Sequence, residues 1–387
     1  MKKLLYTVSA TLLIFLVACS DENGTEANRV DFDVAAMLEN YGNNLILPSY
    51  ENLATQSATM QAKVEAFTQS PTENTLEEAQ LATLAAWEAY QKTGAFEFGP
   101  GETANLRMEV AHFPIVPSSI ESNITNGNWD LDGAFRVDYV GFSAAEYLLF
   151  AYDADGSEAG RAESGTKAEV LSLYTTDAQA TQRAQFLNDV VSRINLQVQQ
   201  VYTGWKANGG NYIGTFIANT NTGAGSSISL FVNSYLQNYE WIKNEKLRDP
   251  SGINATNRQP APRSLEAYYS DYTKALLLAA DGHSKDAFLG QYYGKDPING
   301  SGLEDYLTAH FAAGNTEANY GDAMEAYLDA NTTAVLNIDT PVKTTLASNS
   351  AQVVAAYEAY QAAMILLKVD ITNTLGVSIT FTDNDGD

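Results

Sequence analysis

The stretch RAQFLNDVVSRINLQVQQVYTGW, residues 183–205, decides the fold class. Leu187, Val190, Ile194, Val198, Val201 and Trp205 recur at steps of three and four, which is one apolar stripe on an α-helix. The same spacing recurs on both sides of it. Tyr50, Leu53, Met60, Val64 and Phe67 share a stripe, with Ser57 in its gap. Thr75 and Glu78 read as a capping box ahead of Leu84, Trp87 and Tyr90. Ile228, Phe231, Tyr235, Tyr239 and Ile242 repeat the pattern. Leu265, Tyr268, Tyr272, Leu276 and Ala279 do so too, which predicts one helix through 265–279. The last stripe runs Val353, Tyr357, Tyr360, Met364, Leu367, Ile371, Leu375. Only VSITF, 377–381, alternates with period two, as a short extended tail. The expectation is an all-α chain of amphipathic helices forming two four-helix-bundle-like domains with a shared groove.

The boundaries come from composition. KANGGNYIGTFIANTNTGAGSS, 206–227, is rich in Gly, Asn and Thr and shows no helical stripe, so it reads as a connection. It separates an N-terminal domain, 33–205, from a C-terminal domain, 228–387. It lacks the Lys-Ser/Thr ending of a phosphate loop. The start MKKLLYTVSATLLIFLVACS has two lysines, an apolar run and the box Leu16-Val17-Ala18-Cys19, so residues 1–18 read as a signal peptide. Cys19, the one cysteine of the chain, is then a lipidated N-terminus, and 19–32 a polar tether to a membrane. Ser20, not Asp, after the cysteine favours the outer membrane, and the acidic SDEN resembles a surface-export signal.

A formal charge of −25 over 387 residues repels phosphate backbones, so nucleic acid is not an expected partner. With one cysteine there is no disulfide framework and no thiolate metal site. His112, His283 and His310 show no ligand spacing and read as packing or surface histidines. The terminal DNDGD, 383–387, is half of a calcium loop without its closing glutamate, and reads as an acidic tail.

GFSAAEYLLF, 141–150, carries the sharpest question. Ser143 and Glu146 lie three apart, on one helix face. A histidine at 143 would join Glu146 in holding an ion, but a serine hydroxyl is a poor zinc or iron ligand. The pair reads first as a capping box, Ser143 at the N-cap and Glu146 three residues on, with Phe142 and Tyr147 as a hydrophobic staple.

With these residues in view, the chain resembles the imelysin-like family, which includes an insulin-cleaving peptidase and iron-regulated envelope proteins. The family hallmark is Gly-x-His-x-x-Glu; Gly141, Ser143 and Glu146 stand at its positions, followed by YLLF. The resemblance also rests on 46–67 (ILPSYENLATQSATMQAKVEAF), the Trp87 helix ending in FEFGP, 231–252 (FVNSYLQNYEWIKNEKLRDPSG), 263–277 (RSLEAYYSDYTKALL) and the tail 367–387. It implies two helical domains with the motif near the groove between them, an envelope location and a link to iron or other metal uptake. Two departures stand out: the motif histidine is Ser143, and Gly94 stands where family members tend to have an acidic residue. Resemblance and departures together lead to the expectation of an outer-membrane lipoprotein that binds rather than cleaves, with a metal, a metal chelate or an uptake-system protein as partner. The site candidates are Gly141, Ser143, Glu146, Tyr147, Trp87, Asn233 and Glu240, with Glu146 as one oxygen ligand to iron, zinc or calcium. The alternatives are a metallopeptidase with an altered metal site and an interaction scaffold.

Overall fold

A computed structural model of the chain describes residues 28–153, 163–253 and 259–381. Cys19, the signal segment and the DNDGD tail lie outside these residues. Among the described residues the chain is all-α apart from one two-stranded antiparallel ribbon, Ala151–Tyr152 with Glu163–Ser164. Two residues per strand are too few to show a period, so no alternation announces them.

Helices Leu47–Gln69, Glu73–Gln91, Gly141–Phe150 and Ala180–Trp205 pack together in the first half. Ser227–Trp241, Thr273–Leu289, Tyr320–Leu336 and Ala351–Ala362 do so in the second. The stripe of the helix ending at Trp205 is buried as expected: Leu187, Val190, Ile194, Val198, Val201 and Trp205 all lie in the core. That core is continuous across both halves. Tyr41, from the start of the first half, donates its hydroxyl to Ala287 O (2.8 Å) and packs its ring on Phe231. Asn40 donates to the carbonyls of Gly290 and Ser301.

Local details depart from the sequence reading. The helix 73–91 is capped one turn earlier than expected. Thr72 is its N-cap and Thr75 the returning partner, while Glu78 pairs with Lys63 at 2.9 Å. The Gly-rich stretch 206–227 contains a helix, Tyr212–Ala218, that buries Ile213 and Phe216. Seven residues make too short a run for periodicity to reveal. Three wide π-helical turns, Tyr41–Ile46, Ile242–Arg248 and Leu366–Ile371, sit inside longer helices. Each shifts the helix face, and such turns recur at functional positions. VSITF forms no strand among the described residues. Asn233 pins it, accepting from Thr380 N (2.8 Å) and donating to Ser378 O (3.1 Å).

The largest correction is at 265–279. Leu265, Tyr268 and Tyr272 do not continue the stripe of Leu276, because the helix begins only at Thr273. Residues 265–272 form irregular turns with Ala267 (φ +57°) and Asp271 (φ +59°) in the left-handed region. Such conformations are unfavourable for side chains bearing Cβ and persist where surrounding contacts over-determine them. Those contacts belong to the candidate site.

Candidate functional site

The motif helix starts at Gly141, which is the origin of its geometry. Gly141 has φ +80°, and a Cβ there would lie 2.6 Å from the carbonyl oxygen of Val110. Only glycine fits both constraints. The residue before it, Val140, occupies the N-cap and makes no side-chain cap. Ser143 is therefore two residues inside the helix, not its cap, and the capping-box reading of Ser143 and Glu146 is overturned. The Ser143 hydroxyl is buried without a hydrogen-bond partner among the described residues.

Glu146 reaches across to the other half. Its Oε1 accepts from the backbone N–H and the hydroxyl of Ser270, both at 2.7 Å, and the Tyr269 amide adds to the cradle. The carboxylate takes up backbone donors left open by the irregular turns, which is a physical reason for the interruption of the helix there. Further contacts hold these turns. Thr273 donates its hydroxyl to Glu266 O (2.6 Å), Ser164 donates to Tyr269 O (2.6 Å), Tyr268 donates to Glu163 (2.7 Å), and Lys343 pairs with Asp271 (3.0 Å).

Between the motif helix and these turns lies a cavity of about 210 Å³. Ser143 and Glu146 line one side. Arg263, Tyr268 and Tyr269 line another, with Phe113 and Pro114 closing the apolar wall. Burial pushes the Glu146 carboxyl up to about 7; the Ser270 and Tyr269 hydrogen bonds pull it down, and nearby Glu266 adds to the rise. Near neutral pH Glu146 is thus divided between donor and acceptor forms.

This shift has a sign that can be measured. Between the ordinary 4.5 and about 7, the unfolded chain has lost the Glu146 proton and the folded chain keeps it. Stability therefore falls as pH rises through this window, by roughly 3 kcal/mol from this group alone. Glu146→Gln keeps the shape without the titration. Urea unfolding at several pH values is expected to show a flatter profile in the variant. A slope equal to that of the natural protein would remove the assignment to Glu146.

The other sequence candidates are dispersed. Trp87 is a core residue, its ring stacked on Phe142 at 5.8 Å, and lies outside this cavity. Tyr147 packs edge-on against Tyr269 at 5.3 Å and donates its hydroxyl to Glu121 (2.8 Å), so it buttresses the cavity wall from behind. Asn233 and Glu240 border a different and larger cavity. The sequence reading missed Arg263, Tyr268, Tyr269 and Ser270. Their segment was in view as RSLEAYYSDYTKALL, but its helical spacing concealed the turns.

A zinc or iron centre does not fit these residues. Among the described residues no three His, Cys, Asp or Glu side chains are grouped to hold a metal ion. Glu146 is accompanied by hydroxyls. Glu266, the carboxylate whose charge acts on Glu146, is bound to Lys246 and to Gln91 Nε2 (2.8 Å). His283 is deeply buried, its Nε2 accepting from Ala95 N (3.3 Å) and its ring edge-on to Phe96; burial holds it neutral, with a pKa down to about 3. At Gly94, a Cβ would lie 2.2 Å from Asn238 Oδ1, so that amide fills the space a side chain would need.

Comparison with known proteins gives a consistent family. The profile described as imelysin matches residues 46–362. Among solved structures, a Parabacteroides distasonis protein described as a putative iron-regulated protein A precursor superposes with a TM-score of 0.71 at 18% identity, over 91% of this chain and 97% of its own. An imelysin-like protein from Psychrobacter arcticum superposes with a TM-score of 0.66 at 18% identity, over 91% of this chain and 99% of its own. No curated protein matches the chain.

Proposed function

The chain belongs to the imelysin family, and on that premise we propose that it is a lipid-anchored, non-catalytic binding protein of the outer envelope that serves metal uptake, taking a small metal chelate. The observation that carries this reading is that Glu146, Ser143 and Arg263 line one cavity between the motif helix and the turns at 265–272. Arg263, which also pairs with Glu163, adds a guanidinium to the same wall. A hydroxyl, a guanidinium and a carboxyl that keeps its proton to about 7 suit the anionic oxygens of a chelating hydroxy-acid better than a bare cation. The Cys19 anchor read in the sequence would hold the protein at the membrane, and one structural neighbour is described as iron-regulated.

The metallopeptidase alternative needs several strong ligands around one ion, and the donor set near Glu146 does not offer them. The test is titration calorimetry of residues 20–387 with ferric citrate, and separately with iron, zinc, calcium and magnesium salts. Saturable binding of ferric citrate is expected, weakened at least about tenfold in Glu146→Ala and also weakened in Ser143→Val. Equal affinity in both variants would sink the site.

A further inference from the structure

A second cavity, of about 490 Å³, shares no lining residue with the first. It lies between the segment 97–108 and helix Ser227–Trp241 with its π-helical continuation, and Thr380 and Phe381 of the pinned tail close one side. Its volume is within the range of about 300–1,000 Å³ usual for small-molecule sites.

The cations that line it are engaged within the protein. Arg107 pairs with Glu97 (3.1 Å) and donates to Gly94 O (3.3 Å), and Arg248 pairs with Asp249 (2.9 Å). Of the lining carboxylates, Glu97 is thus held by Arg107, and Glu240 is held by Lys243 (3.0 Å) and Lys368 (2.6 Å). Two carboxylates are left over. Glu102 is exposed and Glu245 half-buried, and among the described residues neither side chain has an ion pair or a hydrogen bond.

The uncompensated charge facing this cavity is therefore negative. Burial, then the neighbouring Asp249, holds the Glu245 carboxyl above its ordinary range, against the opposing pull of Arg248 and Arg107. A cation placed beside Glu245 would favour its charged form, whereas an anion would be repelled and a neutral molecule would leave the charge unpaired.

A bare metal ion does not fit this lining, because among the described residues no three His, Cys, Asp or Glu side chains are grouped to hold one. An organic cation does fit. Met108, Leu230, Trp241 and Phe381, all half-buried, supply apolar surface in the same cavity. A flexible amine places its charged head at a carboxylate while its methylenes cover such a surface, as lysine side chains do. The wall itself holds one cation in this way: the Arg107 guanidinium lies over the Trp241 ring, 4.9 Å from its centre.

We propose that this cavity binds a small organic amine, an alkyl chain carrying one or two primary ammonium groups, independently of the Glu146 site. Glu245 is its main contact, and the exposed Glu102 its second.

The test uses butylamine, hexylamine, putrescine and cadaverine as separate probes in calorimetry on residues 20–387, with butanediol and succinate as neutral and anionic counterparts of putrescine. At least one amine is expected to saturate with a Kd of about a millimolar or tighter, and neither counterpart to do so. Glu245→Gln, which keeps the shape and removes the charge, is expected to weaken amine binding about tenfold, the effect of one hydrogen bond to a charged group. Glu146→Ala is expected to leave it unchanged. Saturable binding by none of the four amines overturns the proposal, as does butanediol binding as tightly as putrescine. So does an unchanged Kd in Glu245→Gln, the result of amines merely gathered by the acidic surface, or a loss of binding in Glu146→Ala. Should Glu245→Gln fail to fold, an unchanged Kd in Glu102→Lys, a charge reversal at an exposed position, overturns it alone.

Discussion

Lys246→Met is expected to destabilise the protein by about 3–5 kcal/mol near neutral pH, the cost of leaving one partner of a buried ion pair alone. Lys246 sits on the π-helical turn Ile242–Arg248 and pairs with Glu266 in the interior. Its Nζ also donates to Gln91 Oε1 (3.0 Å) and lies 5.5 Å from the centre of the Phe113 ring. One ammonium thus ties the end of helix Glu73–Gln91 to the turns that cradle Glu146. Burial holds its pKa below the ordinary lysine value, with Glu266 opposing that shift. Without the ammonium, the buried Glu266 carboxylate has only the Gln91 amide among these partners. A buried carboxylate stripped of its cation holds a proton more readily than the same group in the unfolded chain. The deficit should be full at neutral pH and shrink as acidification protonates Glu266. Urea unfolding of both proteins at neutral and mildly acidic pH measures this. A deficit that is small, or that does not shrink with acid, would refute the account. The double variant Lys246→Met/Glu266→Leu should recover most of the loss, because replacing both charges leaves no uncompensated ion.

Gly141→Ala is the second large effect, with an expected loss of about 2–4 kcal/mol, from left-handed strain and from overpacking. The Cβ would meet backbone at Val110, not the movable end of a side chain. Relief therefore requires the motif helix to shift, which would carry Ser143 and Glu146 away from the turns at 265–272. The thermal midpoint should fall, and the pH dependence assigned to Glu146 should weaken along with it. An alanine variant with the midpoint and pH profile of the natural protein would show that the helix entry tolerates a side chain. Gly94→Ala provides a comparison: the obstructing atoms there belong to the Asn238 side chain, so a smaller loss is expected.

The motif shows how much of the site is legible in the sequence. Gly141, Ser143 and Glu146 are identifiable as a constellation by their resemblance to a family pattern, and the serine at 143 already argues against a histidine-ligated ion. Their roles are not identifiable. A serine followed three residues later by glutamate is a sound capping pattern, and nothing local distinguishes it from a serine inside a helix begun at a strained glycine. The helix starts at that glycine because Val110 O, 31 positions before it, leaves no room for a side chain.

The sequence by itself determined the helical class, the long apolar stripes and the charge balance. These depend on neighbours three and four residues apart, and side-chain periodicity records them directly. The tertiary structure alone decided where helices stop and what faces a cavity. The stripe from Leu265 to Leu276 breaks because Glu146, 124 residues from Ser270, takes up the backbone donors of its turns. The larger cavity exists because segments around 100, 240 and 380 converge. Such outcomes depend on which buried donors and acceptors meet across long separations, and a buried polar group must find a partner wherever the chain brings one.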